Sequence, residues 1–452
     1  MVVVGAILVI LAILYLAGVM FFRNRFLPNT VINNIACSGK TVEQSKTAFE
    51  EMASEYVLVL TERDDGSEQI KGSEIALEIN LGTSLDEILS DQNPFTWVLS
   101  LFSDQEESIE AAVSYDTSLL DTVLSNLNCT DEGLMYDSED ASLSEYVSGS
   151  GYEMVEEVYG TRIQEDVFSE CVDAAILAFE EELNLEENGC YVDPVYAADS
   201  EAAQTMLSTA NKYVNTTITY QFGDNTEVLD GSVISQWILI ADDLTVSLDE
   251  EQETAYISDL ASTYDTKWKS RTLVSHSGET VTVPAGGNYG WRVNQDDTLA
   301  ELNEYLESGE DYTGEVVWYQ TAAQYGDQDY GTTYIEVSIS AQHFWYYVDG
   351  VVVLESDFVS GDVATGHDTP KGAYQIAYKA RDQVLEGQGY SSPVSYWMPF
   401  VEGVGFHDAS WRDSFGGTIY LKNGSHGCLN LPTWAAKELY DLIEAGTAVL
   451  VY

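Results

Sequence analysis

The chain has 452 residues, 18 basic against 76 acidic, for a formal net charge of −58, and 45% of it is apolar. That apolar content supports packed cores and excludes global disorder, and the length suits about three domains. The charge excludes nucleic acid as a partner, since that affinity comes from Lys and Arg neutralising phosphates, and it excludes docking on anionic lipid through a basic patch.

Val2 to Phe22 carry no charge. At the rise of an α-helix this stretch spans about 31 Å, one bilayer core. It is long for the apolar region of a signal peptide, no small-x-small cleavage site follows it, and no cysteine follows closely enough for a lipid anchor. Residues 1–25 therefore read as an uncleaved single-pass transmembrane anchor. Arg23 and Arg25 follow the span, so charge alone favours keeping the rest of the chain inside.

Phe26 to Ile35 reads as an extended lead-in. Thr41, with Gln44 three residues on, predicts a capped helix. Tyr56 to Thr61 and a segment near Ile70 read as strands around an Asp64-Asp65-Gly66 turn. An internal repeat follows. Gly160-Thr161-Arg162-Ile163-Gln164-Glu165-Asp166 leads into a helical pattern through Val172, Ile176 and Phe179. Gly290-Trp291-Arg292-Val293-Asn294-Gln295-Asp296 leads into another through Leu299, Leu302 and Leu306. Two copies predict two related α+β modules, over residues 26–195 and 196–325.

Ser308 to Thr332 reads as a polar, Gly-rich connector. Residues 333–452 predict a mostly-β domain. Tyr334–Ile339 and Phe344–Val348 alternate, Asp349-Gly350 is a hairpin turn, and the one convincing helix is Thr433–Ile443 behind Pro432. Five cysteines are an odd number. Cys37, Cys129, Cys171 and Cys190 define no known framework and equally suit small buried hydrophobes. No Cys-x-x-Cys supports a zinc site.

The chemistry is concentrated near the C-terminus, in Ser425-His426-Gly427-Cys428-Leu429-Asn430-Leu431. A cysteine nucleophile needs its proton removed, and an imidazole two residues away can take it. On extended backbone such residues face one side. Gly427 permits close backbone approach, and its amide and that of Cys428 are candidate donors to an oxyanion.

Together with His407 in Gly-Phe-His-Asp-Ala-Ser-Trp-Arg and the intervening Gly416-Gly417, this segment resembles the signature of the L,D-transpeptidase (YkuD-like) catalytic domain. Thr369-Pro370-Lys371-Gly372-Ala373-Tyr374 matches the family's Thr-Pro-x-Gly-x-aromatic run. The resemblance implies an L,D-transpeptidase catalytic domain over residues 333–452. It also implies that the two α+β modules resemble those ascribed to peptidoglycan binding in Gram-positive members.

Carried over residue by residue, the resemblance makes Cys428 the acyl-accepting nucleophile and His426 the general base. Gly427 shapes the loop, His407 assists the substrate or oxyanion, and the Ser425 carbonyl orients the imidazole. Many members carry Arg where this chain has Asn430. Asn430, Arg412, Trp411 and Gly417 are the expected substrate-binding residues, with Arg412 or Lys422 supplying the missing charge and Trp397 a further groove candidate. His276, His343 and His367 read as ordinary.

The implied activity is 3→3 cross-linking of peptidoglycan stem peptides through a cysteine thioester, with loss of D-alanine, at the outer face of the cell membrane. No metal or organic cofactor is expected, and carbapenem-type β-lactams are the expected inhibitors. Two alternatives stay open: an L,D-carboxypeptidase or D-amino-acid exchange enzyme, and a non-catalytic wall-binding protein.

Overall fold

The structure, a computed structural model, describes residues 2–109, 112–387 and 390–452. Two units divide the chain, residues 1–143 with 154–203 and residues 144–153 with 204–452.

In the first unit, the helix Val2–Phe21 buries none of its side chains and is long and apolar enough to cross a membrane. Near its C-terminal end it meets the turn that carries Trp97. Tyr15 Oη donates to Phe95 O at 2.8 Å, and Trp97 Nε1 donates to Tyr15 O at 3.2 Å. The helix Val42–Glu55 starts at Thr41, whose hydroxyl accepts from Gln44 N while Gln44 reaches back to Thr41 N. That reciprocal cap satisfies two amides the helix start leaves open.

Each half of the internal repeat folds into the same sequence of elements. In the first unit, strands Val57–Thr61 and Ser67–Lys71 pair antiparallel, the helix Glu165–Ala178 follows, and Glu182–Asn184 returns parallel to Val57–Thr61. In the second, Ile218–Phe222 pairs antiparallel with Asn225–Leu229, the helix Gln295–Ser308 follows, and Tyr312–Gly314 returns parallel to Ile218–Phe222. Both helices have 14 residues and end on a left-handed residue, Phe179 and Gly309. Each is entered through one main-chain bond, Gln164 N to Cys190 O and Asn294 N to Val317 O, at 2.8 Å in both. The stretch read as a connector from Ser308 to Thr332 thus holds the end of that helix and two short strands, Tyr312–Gly314 and Trp318–Gln320. Three-residue strands carry too little periodicity to read from sequence.

The C-terminal part of the second unit is built on two sheets. Strands β1 (Tyr334–Ser338), β2 (His343–Val348), β3 (Val351–Asp357), β4 (Gly372–Gln375) and β9 (Ala448–Val451) form one, in the order β3-β2-β1-β9-β4. Strands β5 (Ala380–Gly387), β6 (Tyr390–Val401), β7 (Val404–Asp408) and β8 (Leu429–Leu431) form the other, in sequence order. Asp349-Gly350 closes the β2–β3 hairpin, with Val348 opposite Val351. The helix Thr433–Leu442 packs on β3, β6 and β7. Ile335, Val337, Phe344, Phe400, Phe406, Leu429, Leu431, Leu439 and Val449 are fully buried in the core between these layers. That apolar burial is the main source of stability for such a layered domain.

Candidate active site

Strands β7 and β8 run parallel, with Phe406 opposite Leu429 and His407 opposite Asn430. Side chains alternate along a strand. Phe406 and Leu429 enter the core, so His407 and Asn430 share the opposite face. Cys428, two residues before Asn430, belongs to that face as well. The ladder is held on its other side by Val359, which exchanges both main-chain hydrogen bonds with Asn430, at 3.0 and 2.9 Å.

A cavity of about 180 Å³ opens here, lined by His407, Trp411, Arg412, Gly424, Ser425, His426, Cys428 and Asn430, with Leu385 and Ser392. It therefore gathers seven of the nine residues singled out in the sequence. Gly427 is buried within the turn and is not among the lining residues. Gly417, exposed at φ 63°, is not among the lining residues.

Gly427, at φ +117°, breaks the extended spacing expected to put His426 and Cys428 on one side. Residues 426–428 are a bend, and β8 starts only at Leu429. The left-handed region is open to glycine at little cost. The extended spacing operates between Cys428 and Asn430 instead.

The bend is fastened from two sides. Ser425 Oγ donates to Cys428 O at 2.6 Å and accepts from Gly427 N at 3.1 Å. Thr369 Oγ1, buried in the Thr-Pro run, donates to Gly427 O at 2.6 Å and accepts from Gly361 N at 3.0 Å. Two sequence expectations change here. The Gly427 amide is used within the turn rather than aimed at an oxyanion. The Ser425 carbonyl accepts from Asp362 N at 2.9 Å, and it is the Ser425 hydroxyl that shapes the site.

Cys428 is 7% exposed and packs with Val394, Trp397 and Leu385. Its thiol donates to Gly403 O at 3.5 Å. Burial pushes the thiol up to about 11, so at neutral pH it rests protonated and needs a base to become a nucleophile. His407 is buried between Trp397 and Trp411, its ring centroid 6.0 Å from each. His407 Nδ1 lies 2.9 Å from Asp408 O. A carbonyl only accepts, so Nδ1 carries the proton and Nε2 keeps its lone pair. Burial holds His407 below the usual imidazole range, which keeps it neutral. The ring of His426, on the exposed rim, lies 4.8 Å from the ring of His367, whose Nδ1 meets Thr365 Oγ1 at 2.8 Å.

Arg412 donates to Asn423 O at 2.9 Å and to Gly424 O at 3.0 Å, bracing the chain just before Ser425. Its Nε and the Asn430 Oδ1 are buried on the cavity without partners among the described residues. Buried polar atoms without partners are costly, so these two suit atoms of a bound substrate. Asp362 accepts from Gly424 N at 2.9 Å, which holds its carboxyl below the usual range. Lys422 is exposed and lies outside the lining. Among the described residues no group of three or more His, Cys, Asp or Glu is arranged to hold a metal.

Sequence reading missed Leu385 and Ser392, cross-strand partners on the β5–β6 hairpin. Arg381, Asp382 and Glu386 on mostly exposed β5 hide its strand character, and Pro393 interrupts the pattern of β6. His367, expected to be ordinary, is not among the residues lining the cavity, and its ring lies beside that of His426.

Two family models match the chain. The L,D-transpeptidase catalytic domain covers residues 332–451, and a domain described as “Putative peptidoglycan binding domain” covers residues 196–313. Among solved structures, a cysteine-to-serine variant of the Enterococcus faecium L,D-transpeptidase is 36% identical, with 55% of this chain and 100% of that one covered and a TM-score of 0.47. The avibactam carbamoyl enzyme of Ldtfm gives 36% identity, 55% and 98% coverage, and a TM-score of 0.47. The catalytic domain of the E. faecium enzyme acylated by ertapenem is 47% identical, covering 27% of this chain and 98% of that one, with a TM-score of 0.25. No curated protein matches. On the catalytic-domain match and the identity carried across the whole of the E. faecium chain, this chain belongs to the L,D-transpeptidases. It is therefore an acyltransferase.

Proposed function

We propose that Cys428 is the nucleophile of this transpeptidase and that His407, rather than His426, takes its proton. The observation that carries the assignment is the His407 Nδ1 bond to Asp408 O. It leaves a neutral Nε2 acceptor on the cavity that Cys428 lines. The Cys428 sulfur attacks the carbonyl of the L-centre of the diamino acid at stem position three while the thiol proton passes to His407. The amide bond to the terminal D-alanine breaks, and the imidazolium returns its proton to the leaving amine. A side-chain amine of a second stem then attacks the thioester and gives a proton to His407, which passes it to the departing Cys428 sulfur, so that the C–S bond breaks and a 3→3 cross-link is left. His426 and Trp411 border the entrance, and Asn430 Oδ1 and Arg412 Nε offer buried polar contacts to the stem.

Carbapenem-type β-lactams acylate Cys428 in this reading, which the ertapenem-acylated relative supports. The helix Val2–Phe21 serves as a single-pass anchor, with the catalytic domain outside the membrane at the wall. The shared element order and matching main-chain bonds of the two repeat halves support reading residues 26–195 as an earlier relative of the module in residues 196–325.

The test is mass spectrometry of products from disaccharide-tetrapeptides, with Cys428→Ala and His407→Ala alongside. A cross-linked dimer with loss of D-alanine, absent in Cys428→Ala, upholds the reading. Tripeptide alone moves it to an L,D-carboxypeptidase, and a Cys428-independent product sinks it.

A further inference from the structure

In a chain with 18 basic and 76 acidic residues, two neighbouring cations held between exposed aromatic rings mark one place suited to an anion. Arg292 and Lys267 are such a pair. Among the described residues no carboxylate comes within ion-pair distance of either, and none accepts from the Arg292 guanidinium. Asp265, the carboxylate that both feel, is held by Val293 N at 2.7 Å. Lys267 Nζ donates to Gln320 Oε1 at 3.1 Å. Burial, and then the neighbouring Arg292, lower the Lys267 ammonium below its ordinary range. Two like charges therefore lie together, and neither forms an ion pair with Asp265 or with any other carboxylate among the described residues.

Two aromatic rings hold them there. The Arg292 guanidinium lies 5.2 Å from the Trp268 ring centroid and 4.7 Å from that of Tyr319. The Lys267 ammonium lies 5.0 and 6.0 Å from the same two rings. Trp268 is 50% and Tyr319 64% exposed. Trp268 also sits at φ +66°, a conformation that costs a bulky residue and persists where surroundings enforce it. Its carbonyl accepts from Gly286 N at 2.9 Å. Tyr319 and Gln320 also line a cleft of about 650 Å³.

The repeat provides an internal comparison. Arg162 stands in the first half where Arg292 stands in the second, and it is neutralised by an ion pair with Asp137. The second half keeps the arginine without an ion pair, its carboxylate Asp265 being bonded to Val293 N instead.

We propose that Lys267, Trp268, Arg292 and Tyr319 form a binding site for an anionic saccharide of the cell wall. Exposed ring faces stack on sugar rings, and the guanidinium and ammonium receive the anion by charge-assisted hydrogen bonds. The anion is a carboxylate of peptidoglycan or a phosphate of a wall polymer, two sources of one chemistry. The site gives a strongly acidic protein one place to hold an acidic polymer. It rests on the reading of a wall enzyme for its ligand, but not on the chemistry of Cys428.

The experiment is co-sedimentation of the full chain, in detergent micelles, with purified sacculi, untreated or stripped of phosphate polymers by hydrofluoric acid. Wild type is compared with the double variant K267Q/R292Q and with Tyr319→Ala, each first shown to keep the wild-type circular dichroism spectrum and Tm. Affinity is expected to fall about tenfold or more in the double variant and measurably in Tyr319→Ala. Binding that survives stripping upholds the site with carboxylate as the anion, and binding lost on stripping upholds it with phosphate. Equal affinity of wild type and both variants overturns the proposal, as does absence of wild-type binding to either preparation. Turnover of a sugar-free tetrapeptide by the wild type reports separately on the transpeptidase reading.

Discussion

His407 gives its Nδ1 proton to the main-chain carbonyl of Asp408, at 2.9 Å. That bond selects one tautomer and turns the other nitrogen into an acceptor. Asp408 is itself held in place by its side chain, since Oδ1 accepts from Ser395 N at 2.7 Å and Tyr396 N at 3.0 Å. The orientation of the His407 ring, the proposed base, is thus set by backbone on two strands, β6 and β7.

The two histidines of the cavity should separate by mutation. His407→Ala is expected to lower the acylation rate by about a hundred- to ten-thousand-fold, the range for loss of a general base. His426→Ala, on the exposed rim, is expected to cost less and to act mainly on KM. Stopped-flow acylation by a carbapenem checks both. The reverse order would return the base to His426.

The thiol should titrate high. Burial raises Cys428 from 9.0 to about 11, so iodoacetamide labelling of His407→Ala is expected to rise with pH towards a midpoint near 11. A midpoint near an ordinary thiol value would contradict the burial argument. The same shift has a stability consequence. The folded pKa exceeds the unfolded one, so the stabilisation is complete below about pH 9 and disappears as pH climbs towards about 11. Cys428→Ala should lack this alkaline loss of Tm.

Ser425 holds the nucleophile bend through two hydrogen bonds. Ser425→Ala is expected to cost about 1–2 kcal/mol of stability and to slow acylation while leaving the pH midpoint of His407 unchanged. Denaturant unfolding and the pH–rate profile test this together. An unchanged acylation rate would deny Ser425 its positioning role.

Arg412 offers a choice between clamping substrate and bracing the backbone. Its two terminal nitrogens are committed to Asn423 O and Gly424 O, so Arg412→Ala is expected to lower kcat and Tm more than it raises KM. Arg412→Lys should rescue poorly, because an ammonium cannot reproduce the two-pronged geometry. A pure rise in KM would mean that Arg412 binds the stem carboxylate directly.

The sequence alone determined the family and which short segments meet at the cavity. Ser-His-Gly-Cys, the upstream His407 and the Thr-Pro run are contiguous patterns, and each is a local requirement. The bend needs Gly427 and the hydroxyls of Ser425 and Thr369, and Cys428, the proposed nucleophile, follows directly on it. The repeat was legible for the same reason, since Gly-x-Arg before a 14-residue helix is a local signal. The Thr41 cap and the Asp349-Gly350 turn were equally local. Tertiary structure alone decided which histidine has its proton placed by a carbonyl, which face Cys428 shares with His407 and Asn430, and that Leu385 and Ser392 close the cavity. These depend on the pairing of β7 with β8 and of β5 with β6, contacts between residues far apart in the chain. Arg162 and Arg292 occupy one repeated position in the sequence. Only the folded surroundings, Asp137 for one and two aromatic rings for the other, give them different environments.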